Sequence, residues 1–230
     1  MFTEADIAEL NKRFENVDVV DILAWCNNSV ENLIQVSSFS VEGLVIIDIF
    51  QTQLSCLVPV MFIDTLFHFK ETLQNVEANK RFYLLDLRVF KPLVANNNDE
   101  FVEKYGDLWK TDPDKFHQLT KIDPLRRGLD QLQADAWISG RRRSQSKKRE
   151  NMPIFEHDCK KRLKINPLAT WSREQVWEYA KDRNLLYNPL YDKGYASIGD
   201  EPLTTPIEDG EGERAGRWRG SDKNECGMHE

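Results

Sequence analysis

Leu33-Ile-Gln-Val36, Ser37-Ser38-Phe39-Ser40 and Val41-Glu-Gly-Leu-Val-Ile-Ile-Asp-Ile-Phe50 form the stretch on which the fold turns. The first four residues read as a strand. The next four, three of them serines, read as a turn. The last ten read as a largely buried helix, so the whole is half of a strand–helix unit. The same alternation continues outward. Pro59-Val-Met-Phe-Ile63 reads as a second buried strand ending at Asp64-Thr65, followed by a helix from Phe67 to Asn79 and a third strand at Phe82-Tyr-Leu-Leu-Asp86. Helices are predicted within 99–133, a fourth strand at Ala136-Trp-Ile-Ser139 running into Gly140, and a fifth at Leu163-Lys-Ile-Asn166. Ser172 caps a helix, with Gln175 completing a capping box. Upstream, residues 4–14 and 18–28 have helical apolar spacing, and Asp18 caps the second. Strands alternating with helices predict an α/β fold, a mainly parallel sheet with helices on both faces. There is no internal repeat. After Pro189 the pattern dissolves into Gly, Pro, Thr and charge, so a domain over 1–205 and a mobile C-terminal tail over 206–230 are expected.

Composition narrows the function classes. The 230 residues carry a net charge of -7, so overall basicity does not point to nucleic acid, although clustered arginines leave room for a local anion site. No apolar run reaches membrane-spanning length and no basic-then-apolar leader is visible, which predicts a cytoplasmic chain without a membrane partner. Cys26, Cys56, Cys159 and Cys226 are scattered, with no CxxC or CC pair, and are expected to be free thiols. The first three read as core or surface filler.

Three predicted strand ends carry candidate chemistry, because ligands of parallel α/β sheets sit beyond the carboxyl ends of the strands. Ser37, Ser38 and Ser40 precede a helix start, where hydroxyls and unpaired amides can hold a phosphate; capping by Ser40 is the plainer alternative. There is no Gly-Lys-Ser/Thr, so this is not a Walker loop. Asp64 and Thr65 can meet a ribose or base, or cap the next helix. Gly140, Arg141 and Arg142 bring backbone close approach and fork-shaped donors for phosphate or sulfate. Arg141 to Arg149 as an RNA contact is disfavoured by the net charge and the lack of interleaved aromatics.

The tail adds Arg214, Arg217 and Arg219 among glycines, then Glu225-Cys-Gly-Met-His-Glu230. A cysteine among polar groups at a glycine-loosened end is present for its chemistry rather than its volume. Cys226 reads as a nucleophile on a swinging arm, with His229 a local acid or base, against the alternative of a frayed end with an incidental thiol. A single thiol that attacks a sulfur electrophile has no neighbouring cysteine to resolve the adduct, so a second protein's thiol must do so.

Taken together, Leu163-Lys-Ile-Asn-Pro-Leu168, Tyr195-Ala-Ser-Ile-Gly-Asp200, Glu213-Arg-Ala-Gly-Arg-Trp218, Glu225-Cys-Gly-Met-His229, Ile63-Asp-Thr-Leu66 and Gly140-Arg-Arg resemble the thioredoxin-dependent phosphoadenylyl-sulfate (PAPS) and adenylyl-sulfate (APS) reductases over nearly the whole chain. The resemblance implies an adenine-nucleotide α-hydrolase-like, PP-loop-related sheet, often in a homodimer. It implies that Cys226 attacks the sulfonate sulfur, leaving a cysteine S-sulfonate from which thioredoxin or glutaredoxin releases sulfite. Ser37–Ser40 would border the nucleotide, and Arg141, Arg142 and the tail arginines would hold phosphates and sulfonate.

The chain departs from the pattern of the iron–sulfur members. Their cysteine pair is replaced by Phe116-His117 ahead of Lys121-Ile-Asp-Pro-Leu125, and their later Cys-x-x-Cys by Asp200-Glu-Pro-Leu203. No cluster is therefore expected, which goes with PAPS as substrate. Glu42, in a loop more like APS-type loops, argues the other way, since a carboxylate near a 3′-phosphate is unfavourable. Two other classes stay open at this level. A PP-loop ATP-cleaving enzyme would carry Ser-Gly-Gly-x-Asp-Ser where this chain has Ser37-Ser-Phe-Ser-Val-Glu42. A non-catalytic adenylate- or RNA-binding module would not need Cys226.

Overall fold

The structure is a computed structural model, and it describes residues 2–219 and 227. Nine α-helices and six strands are described: α1 (Glu4–Phe14), α2 (Val19–Ser29), β1 (Leu33–Val36), α3 (Val41–Asp48), β2 (Val60–Ile63), α4 (Lys70–Phe82), β3 (Leu87–Phe90), α5 (Asn98–Tyr105), α6 (Leu108–Thr111), α7 (Pro113–His117), α8 (Asp123–Gln131), β4 (Ala136–Ile138), β5 (Phe155–His157), β6 (Leu163–Ile165) and α9 (Arg173–Asp182). The strands form one sheet in the order β3-β2-β1-β4-β6-β5, parallel throughout except that β5 runs antiparallel to β6. One face packs against α1, α2, α3 and α9; the other packs Ile34, Met61, Ile63 and Trp137 against Leu125 and Leu129 of α8. The expected mainly parallel sheet covered on both faces is what forms. Its central strands are nearly all apolar on both sides, as such burial requires, and the buried polar side chain of β1, Gln35, donates to the Gly43 carbonyl (2.8 Å).

Local sequence accounts for most boundaries. Thr3 and Asp6 close a capping box at α1, Asp18 caps α2, and Ser172 with Gln175 caps α9. The third strand lies later than the spacing predicts. α4 runs on to Phe82 with Lys80 and Arg81 in its last turn, where cations suit the carboxyl end of a helix. Leu84 then turns the chain in the left-handed region (φ 52°) with its side chain exposed, and pairing to β2 begins only at Leu87. Residues 82–86 are apolar enough for a strand, but they are helix end and turn. β5, which no periodicity announced, covers the outer side of β6. Its own free edge is closed by Asn11, whose amide donates to the Phe155 carbonyl (2.8 Å) and accepts from the Phe155 N–H (2.9 Å).

Residues 204–219 pack against the domain. Thr205 N–H donates to the Gly216 carbonyl (2.8 Å), Trp218 N–H to the Leu203 carbonyl (3.0 Å) and Ile207 N–H to the Gly194 carbonyl (3.0 Å), and the Trp218 side chain is buried. This first part of the expected tail is thus folded onto the sheet domain. Cys226 and His229 lie outside the described residues.

Candidate active site

β1 connects to β2 on one side and is flanked by β4 on the other, so the strand order reverses direction between β1 and β4. A cleft opens beyond the carboxyl ends of these strands. It is floored by Val36 and Ser37 at the end of β1, Ile63 and Thr65 at the end of β2, and Ser139 and Gly140 after β4. This is where open α/β sheets bind ligands. Gly140 is required for the cleft's shape: a Cβ there would lie 2.9 Å from the Glu42 Cβ and 3.1 Å from the Gly43 nitrogen, so any side chain would push β4 away from the start of α3.

The serine loop divides its work. The Ser37 hydroxyl accepts from the Phe39 N–H (3.0 Å), holding Phe39 in the left-handed region (φ 57°) with its ring buried against Phe62. The Ser40 hydroxyl accepts from the Gly43 N–H (3.4 Å) and caps α3. Ser38 is exposed, and all three serines line the cleft. Capping and cleft lining are therefore both present in one loop.

The three consecutive arginines go in three directions. Arg141 lines the cleft while bonding Glu156, Ser139 and Asn166. Arg143 turns back to Glu15 beyond α1. Arg142 is 1% exposed and does not line the cleft. Its guanidinium donates to Glu42 (3.0 Å), to both oxygens of Glu213 (2.7 and 2.8 Å) and to the Ser144 hydroxyl (2.6 Å). Gln145 adds a bond to Glu42 (3.0 Å). Burial pushes the Glu213 carboxyl up, against the pull of Arg142.

A second buried charge centre forms the opposite wall. Asp200, fully buried, meets the Lys121 ammonium, accepts from the Thr65 hydroxyl (2.7 Å), and lies 3.9 Å from the His117 ring. Burial by itself would raise its pKa. The Lys121 charge and the hydrogen bonds from Lys121 and Thr65 outweigh this and hold the carboxyl well below the usual carboxylate range. His68, stacked on Phe62 with its Nε2 2.9 Å from the Ile63 carbonyl oxygen, is pushed down by burial. Lys121 reaches the cleft lining.

Of the residues expected from sequence, Ser37, Ser38, Ser40, Thr65, Gly140, Arg141, Arg214 and Arg217 converge on the cleft. Asp64 instead pairs with Lys91 (2.9 Å) and caps the Leu66 N–H. Arg219 lies outside the cleft, exposed, in a two-pronged pair with Glu211 (2.7 and 3.1 Å). Arg214 and Arg217 approach across the Trp218 ring, with guanidinium-to-centroid distances of 5.4 and 4.5 Å. Lys121, Arg149, Glu213 and Asp200 are site residues that sequence reasoning passed over. Lys121, Glu213 and Asp200 stand inside the quoted motifs, but burial and proximity to the cleft are not features of spacing.

Phe116, His117, Asp200 and Leu203, where the resemblance implies cysteines in iron–sulfur members, gather in space. Phe116 packs with Phe67, Phe101 and Trp109, Leu203 joins the same cluster, and His117 meets Trp218, whose Nε1–H donates to His117 Nε2 (3.4 Å), with Asp200 alongside. Phe116 and Leu203 offer no donor atom, so these residues do not fit a cluster. Among the described residues no group of three His, Cys, Asp or Glu side chains is placed to hold a metal, and no helix is long and apolar enough to cross a membrane. A smaller cavity, lined by Trp137, Asp158, Cys159, Lys164 and Gly227, lies apart from the nucleotide-type cleft.

Comparison with known proteins agrees with this geometry. Residues 32–206 match the phosphoadenosine phosphosulfate reductase domain. The chain is 40% identical over 235 residues to a phosphoadenosine phosphosulfate reductase of Emericella nidulans, covering all of this chain and 76% of that one. It is also 40% identical over 231 residues to an adenosine 5′-phosphosulfate reductase of Halalkalibacterium halodurans, covering 99% and 98%. The crystal structure of a PAPS reductase from Candida auris in a phosphate complex superposes with a TM-score of 0.81 at 34% identity, covering 89% of this chain and 98% of that one. With its cleft at the reversal of strand order and its matching relatives over the full length, the chain belongs to the phosphoadenosine phosphosulfate reductase family, oxidoreductases of sulfate assimilation.

Proposed function

We propose that this chain reduces PAPS to sulfite and adenosine 3′,5′-bisphosphate, with thioredoxin as the thiol donor. The observation that carries the reading is the convergence of Arg141, Arg149, Lys121, Arg214 and Arg217 on one cleft, with the last two twelve and nine residues before Cys226. Such a set suits a nucleotide bearing phosphates and a sulfonate. In the reaction the Cys226 thiolate attacks the sulfonate sulfur. An S–S bond forms as the S–O bond to the phosphate breaks, and the nucleotide leaves with the electron pair. A thioredoxin thiolate then attacks the Cys226 sulfur and expels sulfite. The second thioredoxin thiol resolves the mixed disulfide, returning the cysteine and supplying the second electron of the pair.

PAPS rather than APS is favoured by the cysteine-free sequence at the cluster positions, and Glu42 does not weigh against it. The Glu42 carboxylate is held by Arg142 and Gln145, so it does not face a 3′-phosphate as a bare charge. APS reduction is the second reading, supported by the Halalkalibacterium halodurans relative. Steady-state comparison of the two nucleotides with reduced thioredoxin separates them: PAPS is expected to have the higher kcat/KM, and equal or greater efficiency on APS overturns the substrate assignment. Cys226→Ser is expected to bind nucleotide and make no sulfite, a loss of at least ~10³-fold; sulfite from that variant sinks the mechanism. Anaerobically purified protein is expected to show no iron–sulfur absorption.

A further inference from the structure

The position of Arg142 has no place in the reaction described above. It is among the largest fully buried side chains of the molecule, and it joins three segments far apart in sequence. One is the first turn of α3, through Glu42. One is the strand end after β4, on which Arg142 itself stands. The third is the segment that leads to the nucleophile, through both oxygens of Glu213. Glu42 and Glu213 both line the cleft, whereas Arg142 lies behind them. Immediately after Glu213 come Arg214 and Arg217, which face the nucleotide site.

We propose that Arg142 is a positioning residue, a buried clasp between Glu42 and Glu213 that fixes the root of the C-terminal segment to the first turn of α3, next to the serine loop. The clasp rests on the reductase reading above, because its purpose is to set where the attacking thiol starts relative to the bound nucleotide. A planar fork suits this role better than an ammonium, since it holds two carboxylates in one fixed arrangement. A misplaced root costs the attack step most; Arg214 and Arg217 shift with it, while the serine loop, the strand end and Lys121 still hold the nucleotide. An ångström of misplacement is worth up to ~10²-fold in rate.

Glu213→Gln tests this with the fold kept, because Arg142 retains Glu42 as its counter-charge. The expected result is a kcat lowered ~10-fold or more with KM for the nucleotide changed less than ~3-fold. Tryptic cleavage after Arg214 and Arg217 is expected to be at least ~5-fold faster than in wild type, since release of the segment raises its open population. Glu42→Gln is the control. It removes the same charge from the same arginine but leaves Glu213 tied, and cleavage is expected to stay at the wild-type rate. Equal acceleration in both variants would mean that the triad is only a buried charge balance. An unchanged kcat in Glu213→Gln, or a loss confined to KM, also overturns the clasp. If wild type makes sulfite from neither PAPS nor APS, the reductase reading fails, while the cleavage rates still decide whether the clasp exists.

Discussion

The two buried charge centres on either side of the cleft are built from the same kinds of residue and are arranged in opposite ways. On one side Arg142 is enclosed between Glu42 and Glu213, and the carboxylates face the cleft while the cation lies behind. On the other side Asp200 is enclosed, and the cation, Lys121, faces the cleft. Both arrangements satisfy burial, which requires a charge to be paired. The difference lies in which sign reaches the ligand. The Asp200 side presents positive charge to an anion. The Arg142 side presents two carboxylates that share one guanidinium and joins two segments of backbone.

The comparison can be broken by removing one partner from each side. Asp200→Asn leaves the Lys121 ammonium without its buried counter-charge and is expected to destabilise by about 3–5 kcal/mol. Glu42→Gln, with Glu213 still on Arg142, is expected to destabilise by only about 1–2 kcal/mol. Urea unfolding of the two variants measures both, and equal losses would show that the two centres are energetically alike.

Acid sharpens the same contrast. The Asp200 carboxyl sits below its ordinary range, so its contribution is present at neutral pH and is lost only as pH falls below about 4. The Glu213 carboxyl is raised, so its contribution is fullest below about 4.3 and declines as pH rises through its folded value. Between pH 7 and 4.5 the stability gap between wild type and Glu213→Gln is therefore expected to move in favour of wild type. The gap to Asp200→Asn is expected to hold until about pH 4 and then close. Parallel curves would contradict the assignment of opposite shifts.

A third buried charge is Lys164, behind Arg141. Burial, helped by the Arg141 charge, pushes it down to about 8, with Glu156 opposing. Its charged form is penalised in full below about 8, and the penalty is relieved as pH rises toward its ordinary 10.5. Wild type should gain stability relative to Lys164→Met between those values, because Met has nothing to titrate there. A flat difference between pH 8 and 10 would show that Lys164 is solvated.

Much of the site was readable because strand ends carry it. Ser37, Thr65 and Gly140 follow β1, β2 and β4 in sequence, and a parallel sheet sends every such end to the same edge. Arg142 was legible as an arginine at a strand end, yet it points into the interior. Whether a strand-end side chain meets ligand or core depends on what packs against it, here Glu42 from 100 residues earlier and Glu213 from 71 residues later. The misplaced third strand has a similar cause: Phe82 to Asp86 has strand-like composition, but α4 and the Leu84 turn claim it.

By itself the sequence determined the alternation of strand and helix, the parallel sheet that follows from it, the serine and glycine turns, and the family through its C-terminal motifs. These depend on neighbours within a few residues, where periodicity and capping chemistry act. Only the tertiary structure decided which charges face the cleft and which are sealed behind it. It also decided that residues 204–219 are folded onto the domain, and that Lys121 and Asp200 share one wall. Pairing of buried charges is set by contacts across the whole chain, and no local pattern encodes which carboxylate will meet which cation.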